Sequence, residues 1–198
     1  MLKIRPCLIT LIVIVLTACQ SEVYNPKPRG YFRIAVKDTT YTPLPDIAPY
    51  TFEISSLAHV ETRDKPDEKY WLNLVYPQLN AILHITYKPL KTNKLEDCIS
   101  DARMMAAKQI NKADDIEEST VLDTAAALYG KIYEILGNEA ASPYQFWLTD
   151  RKNHFFRASL YFNSVPQNDS LAPHIDFLKK DMLHLIETFE WKEEKKKK

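Results

Sequence analysis

The stretch from Tyr144 to Phe162 most narrows what this chain can fold into. Tyr144, Phe146 and Leu148 alternate with Gln145, Trp147 and Thr149, and Phe156, Ala158, Leu160 and Phe162 alternate with Phe155, Arg157, Ser159 and Tyr161. A period of two puts each set on one face of an extended strand. Asp150-Arg151-Lys152-Asn153 lies between the runs and supplies turn residues, so the stretch is a β-hairpin with a strongly apolar inner face. Such a face has to be covered by another layer.

The rest of the pattern supplies the layers. Phe32, Ile34 and Val36 alternate as a strand, and Tyr50, Phe52 and Ile54 as a second, with Pro43, Pro45 and Pro49 keeping the connection irregular. His59–Lys69 is charged, holds Pro66, and reads as an exposed loop. Leu72 and Leu74 share a face in Tyr70–Tyr76; Leu83, Ile85 and Tyr87 share one in Ala81–Tyr87, with Pro77-Gln78-Leu79-Asn80 as a turn between them. His84 falls on the opposite, mixed face and reads as a hydrogen-bonded structural histidine. Asn93 and Glu96 form a capping-box pattern before a helix over 94–112, striped by Leu95, Ile99, Ala102, Ala106 and Ile110, with Met104-Met105 as gap-filling core. Cys98 in that helix reads as a small buried apolar group. Val121–Leu128, with its three alanines, fits a short helix or a strand, the strand or loop being favoured, and enters a clear strand at Leu128–Leu136; Gly137-Asn138 marks a turn. A closing helix has Pro173 in its first turn and a stripe of Ile175, Leu178, Met182, Leu185, Ile186 and Phe189. Short turns between neighbouring strands imply an α+β domain: a mainly antiparallel central sheet covered by amphipathic helices.

The N-terminus has a different character. Lys3 and Arg5 precede an apolar run from Leu8 to Leu16, too short to span a bilayer and laid out as a secretory signal. It ends in Leu16-Thr17-Ala18-Cys19, which resembles a bacterial lipobox with Cys19 as the lipidated first residue of the mature chain. The organisation expected is a signal peptide over 1–18, the lipidated cysteine and a proline-bearing tether over 19–30, one globular domain over 31–192 and a charged tail over 193–198. Two or three acyl chains, at roughly 0.8 kcal/mol per buried CH₂, hold such a protein on a membrane, in the cell envelope and facing the periplasm. With Cys7 removed and Cys19 acylated, Cys98 has no partner for an intrachain disulfide.

Charge and motif content narrow the function. Loss of Lys3 and Arg5 with the signal leaves 24 basic against 26 acidic groups, net −2, which offers no basic field for nucleic acid. Only three glycines are present, too few for a phosphate loop. Ser142, Asp150 and His154, with Asp169 and Ser170 in reserve, are the residue types of a hydrolase triad. No Gly-x-Ser-x-Gly elbow surrounds a serine, however, and Asp150 and Asn153 are equally what a turn prefers. His154, His174 and His184 have no metal-ligand spacing, so no catalytic residue, metal or cofactor is assigned. Trp147, Phe155 and Tyr161 alternate with the hairpin's core residues. They either lie under a helix as core or face outward as an interaction patch.

Several ordered segments carry a resemblance. Tyr129-Gly130-Lys131-Ile132-Tyr133, Gly137-Asn138-Glu139-Ala140-Ala141-Ser142 and Gln145-Phe146-Trp147-Leu148-Thr149-Asp150 are similar to the gliding motility lipoprotein GldD family of Bacteroidota. So are Leu160-Tyr161-Phe162-Asn163, Asp169-Ser170-Leu171-Ala172-Pro173, Glu187-Thr188-Phe189-Glu190-Trp191 and, upstream, Tyr24–Ile34 and Pro49–Phe52. Arg151 stands where the family tends to have serine. The resemblance implies an envelope lipoprotein of the gliding machinery, which overlaps type IX secretion, with protein partners in that apparatus and no known catalytic residue. The alternative is a periplasmic small-ligand binder or cryptic hydrolase. The strand–helix order also looks like the Mog1/PsbP type of α/β/α sandwich. Cys19→Ala is expected to abolish lipidation and leave uncleaved or mis-sorted protein; metabolic labelling with a fatty-acid probe checks this, and label persisting on the variant would contradict it.

Overall fold

The computed structural model describes residues 39–63 and 65–192, all inside one unit spanning Tyr31–Lys198. The signal, Cys19, the tether, the strand expected at Phe32–Val36 and the tail at 193–198 lie outside the described residues. The chain runs β1 (Tyr41–Pro43), β2 (Tyr50–Thr51), β3 (Glu53–Ser55), β4 (His59–Thr62), β5 (Leu72–Tyr76) and β6 (Ala81–Pro89). Helix α1 (Leu95–Ala107) follows, then β7 (Asp115–Asp123), β8 (Leu128–Leu136), β9 (Tyr144–Thr149), β10 (His154–Phe162), helix α2 (Asn168–Glu187) and β11 (Glu190–Trp191).

Seven strands form one sheet in the order β4-β5-β6-β10-β9-β8-β7, antiparallel throughout. Helices cover it on both sides, which makes the domain an α+β sandwich. On one face Leu72, Leu74, Leu83, Ile85, Phe146, Leu148, Phe156 and Leu160 meet Leu178, Met182 and Leu185 of α2. Tyr50 and Phe52 enter this core from the β2–β3 segment. Their rings pack against Phe156 at 5.0 and 6.1 Å, and Phe189 closes on Phe156 at 5.0 Å. On the other face Cys98, Ala102 and Ala106 of α1 cover Tyr133, Ile135, Trp147 and Phe155. The three fully buried α1 residues are small, which lets this helix approach the sheet closely, with Leu95 and Ile99 packing at its margin. All six residues of β9 are consequently buried.

The hairpin, the closing helix stripe and the burial of Phe156, Leu160 and Leu178, each 0% exposed, match the sequence pattern. Other expectations are corrected. His59–Thr62 is an edge strand paired with β5 rather than loop: its backbone pairs while only Val60 is half-buried, so side-chain periodicity carries no signal. β7 starts at Asp115, well before the expected position, and is exposed along almost its whole length. No capping box forms at α1, because Asn93 Nδ2 donates to Pro89 O at 2.9 Å and the N-cap is Lys94. The helix ends at Ala107, so Ile110 is left 64% exposed, and Met104 and Met105 face solvent rather than core. α2 begins five residues before Pro173, which lies inside it. Asn168 fixes that start by donating through Nδ2 to Gly137 O at 2.8 Å and Ala140 O at 2.9 Å.

Gly130 is required by a close approach rather than a turn. A Cβ there would lie 2.1 Å from Trp147 O on the neighbouring strand. Leu178 is the deepest residue of the α2 stripe, and Leu178→Ala is expected to lower stability by about 2–5 kcal/mol, measured by denaturant unfolding. A loss below about 0.5 kcal/mol would contradict the packing described.

Candidate functional site

The hydrolase-type residues do not converge. Ser142 precedes β9 and Asp150 follows it, so the six residues of that strand, at about 3.3 Å each, hold them roughly 20 Å apart. Ser142 is fully buried, and its Oγ has no hydrogen-bond partner among the described residues. Asp150 is a turn organiser: its Oδ1 accepts the backbone N–H groups of Lys152, Asn153 and His154 at 3.0, 2.8 and 2.8 Å. Burial opposes ionisation of this carboxyl, but the three donors outweigh it and hold its pKa below the usual value. His154 is 6% exposed; its Nδ1 lies 2.6 Å from the Tyr87 hydroxyl and its ring stacks on Trp191 at 5.0 Å. Arg151, with φ of 61° in the same turn, places its guanidinium 3.7 Å from the Tyr129 ring centroid. The turn is thus tied to β8 by a cation–π contact.

The aromatic set of the hairpin divides. Trp147 and Phe155 stack at 5.8 Å beneath α1 and are 8% and 3% exposed, so they are core, and an outward patch built on them is excluded. Tyr161 sits further along β10, beyond the cover of that helix, and is half-buried. Its ring lies 5.4 Å from that of His84.

Tyr161 belongs to a polar region that sequence periodicity did not reveal. The ladder sets Asn73, His84, Ser159 and Gln145 in one row across β5, β6, β10 and β9. Thr86 and Arg157 occupy the next row. His84 Nδ1 is 2.8 Å from Asn73 Oδ1, the hydrogen-bonded role expected of it, and burial followed by the nearby Arg63 charge lowers its pKa. Arg157 donates from Nη2 to Gln145 Oε1 at 3.0 Å. Asn73, His84, Arg157 and Tyr161 are half-buried beside α1 and present amide, imidazole, guanidinium and phenol groups on a rigid sheet. Detecting this region requires the register of four strands, which no local window of sequence supplies.

Two further features stand apart. A groove of about 420 Å³ lies where β5 begins, lined by Tyr70, Trp71, Pro66, Arg63, Lys65 and Lys69 among others. Tyr70 there has φ of 68°, a conformation bulky residues rarely adopt, and its carbonyl accepts the Tyr50 hydroxyl at 2.6 Å. On the α2 side, buried Asp181 accepts the Tyr76 hydroxyl at 2.7 Å. His184 pairs with Glu53 at 2.7 Å and lies 3.8 Å from the Tyr41 ring. Burial raises the Asp181 pKa; hydrogen bonds from Tyr76 and Tyr41 and the His184 charge offset this only in part. Tyr41 is in turn pushed up to about 12 by burial and by Asp181.

A helix on each face of an antiparallel sheet, with a polar strip of that sheet left accessible, defines the chain as an α+β sandwich domain. The chain belongs to the gliding motility lipoprotein GldD family, whose model matches residues 21–191. Membership makes it a motility-associated lipoprotein of the cell envelope. No curated protein matches the sequence significantly. Among solved structures, the solution structure of cyanobacterial PsbP (CyanoP) from Synechocystis sp. PCC 6803 is similar over 82% of this chain and 98% of its own, at 8% identity and a TM-score of 0.49. None of the described helices is long and apolar enough to cross a membrane.

Asp181 sets a pH dependence. Its folded pKa lies above the unfolded value, so its contribution is fully present below about pH 4 and is lost as pH rises through the folded pKa. Asp181→Asn is therefore expected to gain stability relative to the parent between about pH 4 and pH 7, measured by parallel denaturant curves. A relative loss over that interval would mean the carboxylate is favoured by folding.

Proposed function

We propose that this chain is a non-enzymatic interaction subunit, anchored through acylated Cys19 and facing the periplasm, that docks protein partners of the gliding apparatus and of the type IX secretion system overlapping it. The family match over residues 21–191 carries the reading. The side chains that tempted a catalytic one support it too: Asp150 is occupied by a turn, Ser142 is sealed, and His154 is held by Tyr87 and Trp191. The docking surface is the strip around Asn73, His84, Arg157 and Tyr161, where polar groups and one aromatic ring are held on strands rather than loops. The groove at Trp71 favours a second reading, a small-ligand binder, since its volume suits a small molecule.

Complementation of a deletion strain in a gliding host tests both. Tyr161→Ala and Arg157→Ala are expected to weaken complex formation and gliding at unchanged expression and melting temperature, whereas Ser142→Ala is expected to retain function. A folded His154→Asn protein that behaves as a null would point to catalysis, and a defect confined to Trp71 variants would point to the groove.

A further inference from the structure

The two edges of the sheet differ. β4 is four residues long, and Pro66 follows it within a 3-10 turn. β7 at the opposite edge is nine residues long and pairs with β8 without interruption from Asp115↔Leu136 to Asp123↔Leu128. Among the described residues no further strand lies on its outer side, so alternate N–H and C=O groups along it point away from β8, and of the β7 amides Ile116 N–H donates to Asp115 Oδ1 at 2.7 Å. Seven of its nine residues are exposed, including Ser119 and Thr120 at its centre. Natural edges are usually blunted by shortness, a bulge, proline or charged side chains, lysine above all. The register shows no bulge, and the sequence of β7 holds no proline and no lysine.

Charge is what β7 has instead. Asp114, Asp115, Glu117, Glu118 and Asp123 give the segment five acidic groups and no basic one; Lys131 on β8 pairs with Glu118. Pairing of β7 with a second copy of itself would bring carboxylates together, which is unfavourable for directly opposed like charges. A strand with alternating basic side chains would meet complementary charge and fill the open backbone groups together. Resting on the reading of this chain as an interaction subunit, we propose that β7 is a strand-addition site for a basic extended segment of a partner protein. Backbone hydrogen bonds supply the pairing and the carboxylates select the sign of charge.

The probe is a nine-residue peptide alternating lysine with threonine or valine. Its controls are an acidic twin with glutamate for lysine, and an equally charged peptide with proline at the alternating positions. Amide hydrogen exchange on the full chain is expected to show at least tenfold protection on outward β7 amides with the lysine peptide only. Asp114→Lys/Glu117→Lys is expected to reverse the preference toward the acidic twin at unchanged melting temperature; Asp123 is left intact because its Oδ1 accepts the backbone N–H groups of Ala125 and Ala126 in the β7–β8 turn. Equal effects from the proline peptide would reduce the site to diffuse electrostatics. Protection appearing without peptide as concentration rises would indicate self-association, and protection elsewhere would place binding off this edge; each overturns the proposal. The deletion strain separates the two readings: normal gliding by Asp114→Lys/Glu117→Lys with a defect in Tyr161→Ala removes β7 alone, and normal gliding by both removes the docking reading itself.

Discussion

Burial of β9 on both faces is the constraint on which the rest of the domain depends. A strand with Tyr144, Phe146 and Leu148 on one side and Gln145, Trp147 and Thr149 on the other cannot be satisfied by a single covering layer. It needs α2 and the β2–β3 segment on one face and α1 on the other, and the three-layer order follows. The layers differ in character. One rests on the interlocked rings of Tyr50, Phe52, Phe156 and Phe189, the other on the small side chains of Cys98, Ala102 and Ala106. Because α1 is only thirteen residues long, it leaves part of its face bare, and the polar strip around His84 and Arg157 is what remains.

How much of this was legible in the sequence depends on where the information resides. β5, β6 and the α2 stripe were readable because each buries one face against a single layer, and such burial writes its own period; the hairpin and β8, buried on both faces, were readable from dense aromatic and aliphatic runs bounded by turn residues. β4 and β7 were obscure because they are held by backbone pairing at the sheet edges, with side chains mostly in water. The start of α2 is set by Asn168 bonding to carbonyls about thirty residues away, and Pro173 drew attention to the wrong turn. Ile110 and the methionine pair followed a helical spacing that the helix itself did not sustain past Ala107.

The candidate site was less legible for the same reason. Residue types suggested Ser142, Asp150 and His154, yet their roles are local and structural. Of the three hairpin aromatics, Tyr161 alone lies beyond α1, which depends on where that helix crosses the sheet rather than on alternation. The polar row from Asn73 to Gln145 draws on four strands and exists only after their register is fixed. Family membership rests on many ordered segments and was readable throughout the matched residues.

The last strand has a consequence for the order of assembly. β11 pairs Glu190 with Thr51 and Trp191 with Tyr50, and Lys192 donates its backbone N–H to Pro49 O at 2.9 Å. Phe189, just before it, completes the aromatic core around Phe156, and Trp191 stacks on His154. A chain that folds as it emerges N-terminus first therefore has to present everything from Tyr50 to Trp191 before Tyr50 and Phe52 are enclosed. Until then the core lacks the piece that locks it, and closure of the aromatic cluster waits on Phe189 and Trp191.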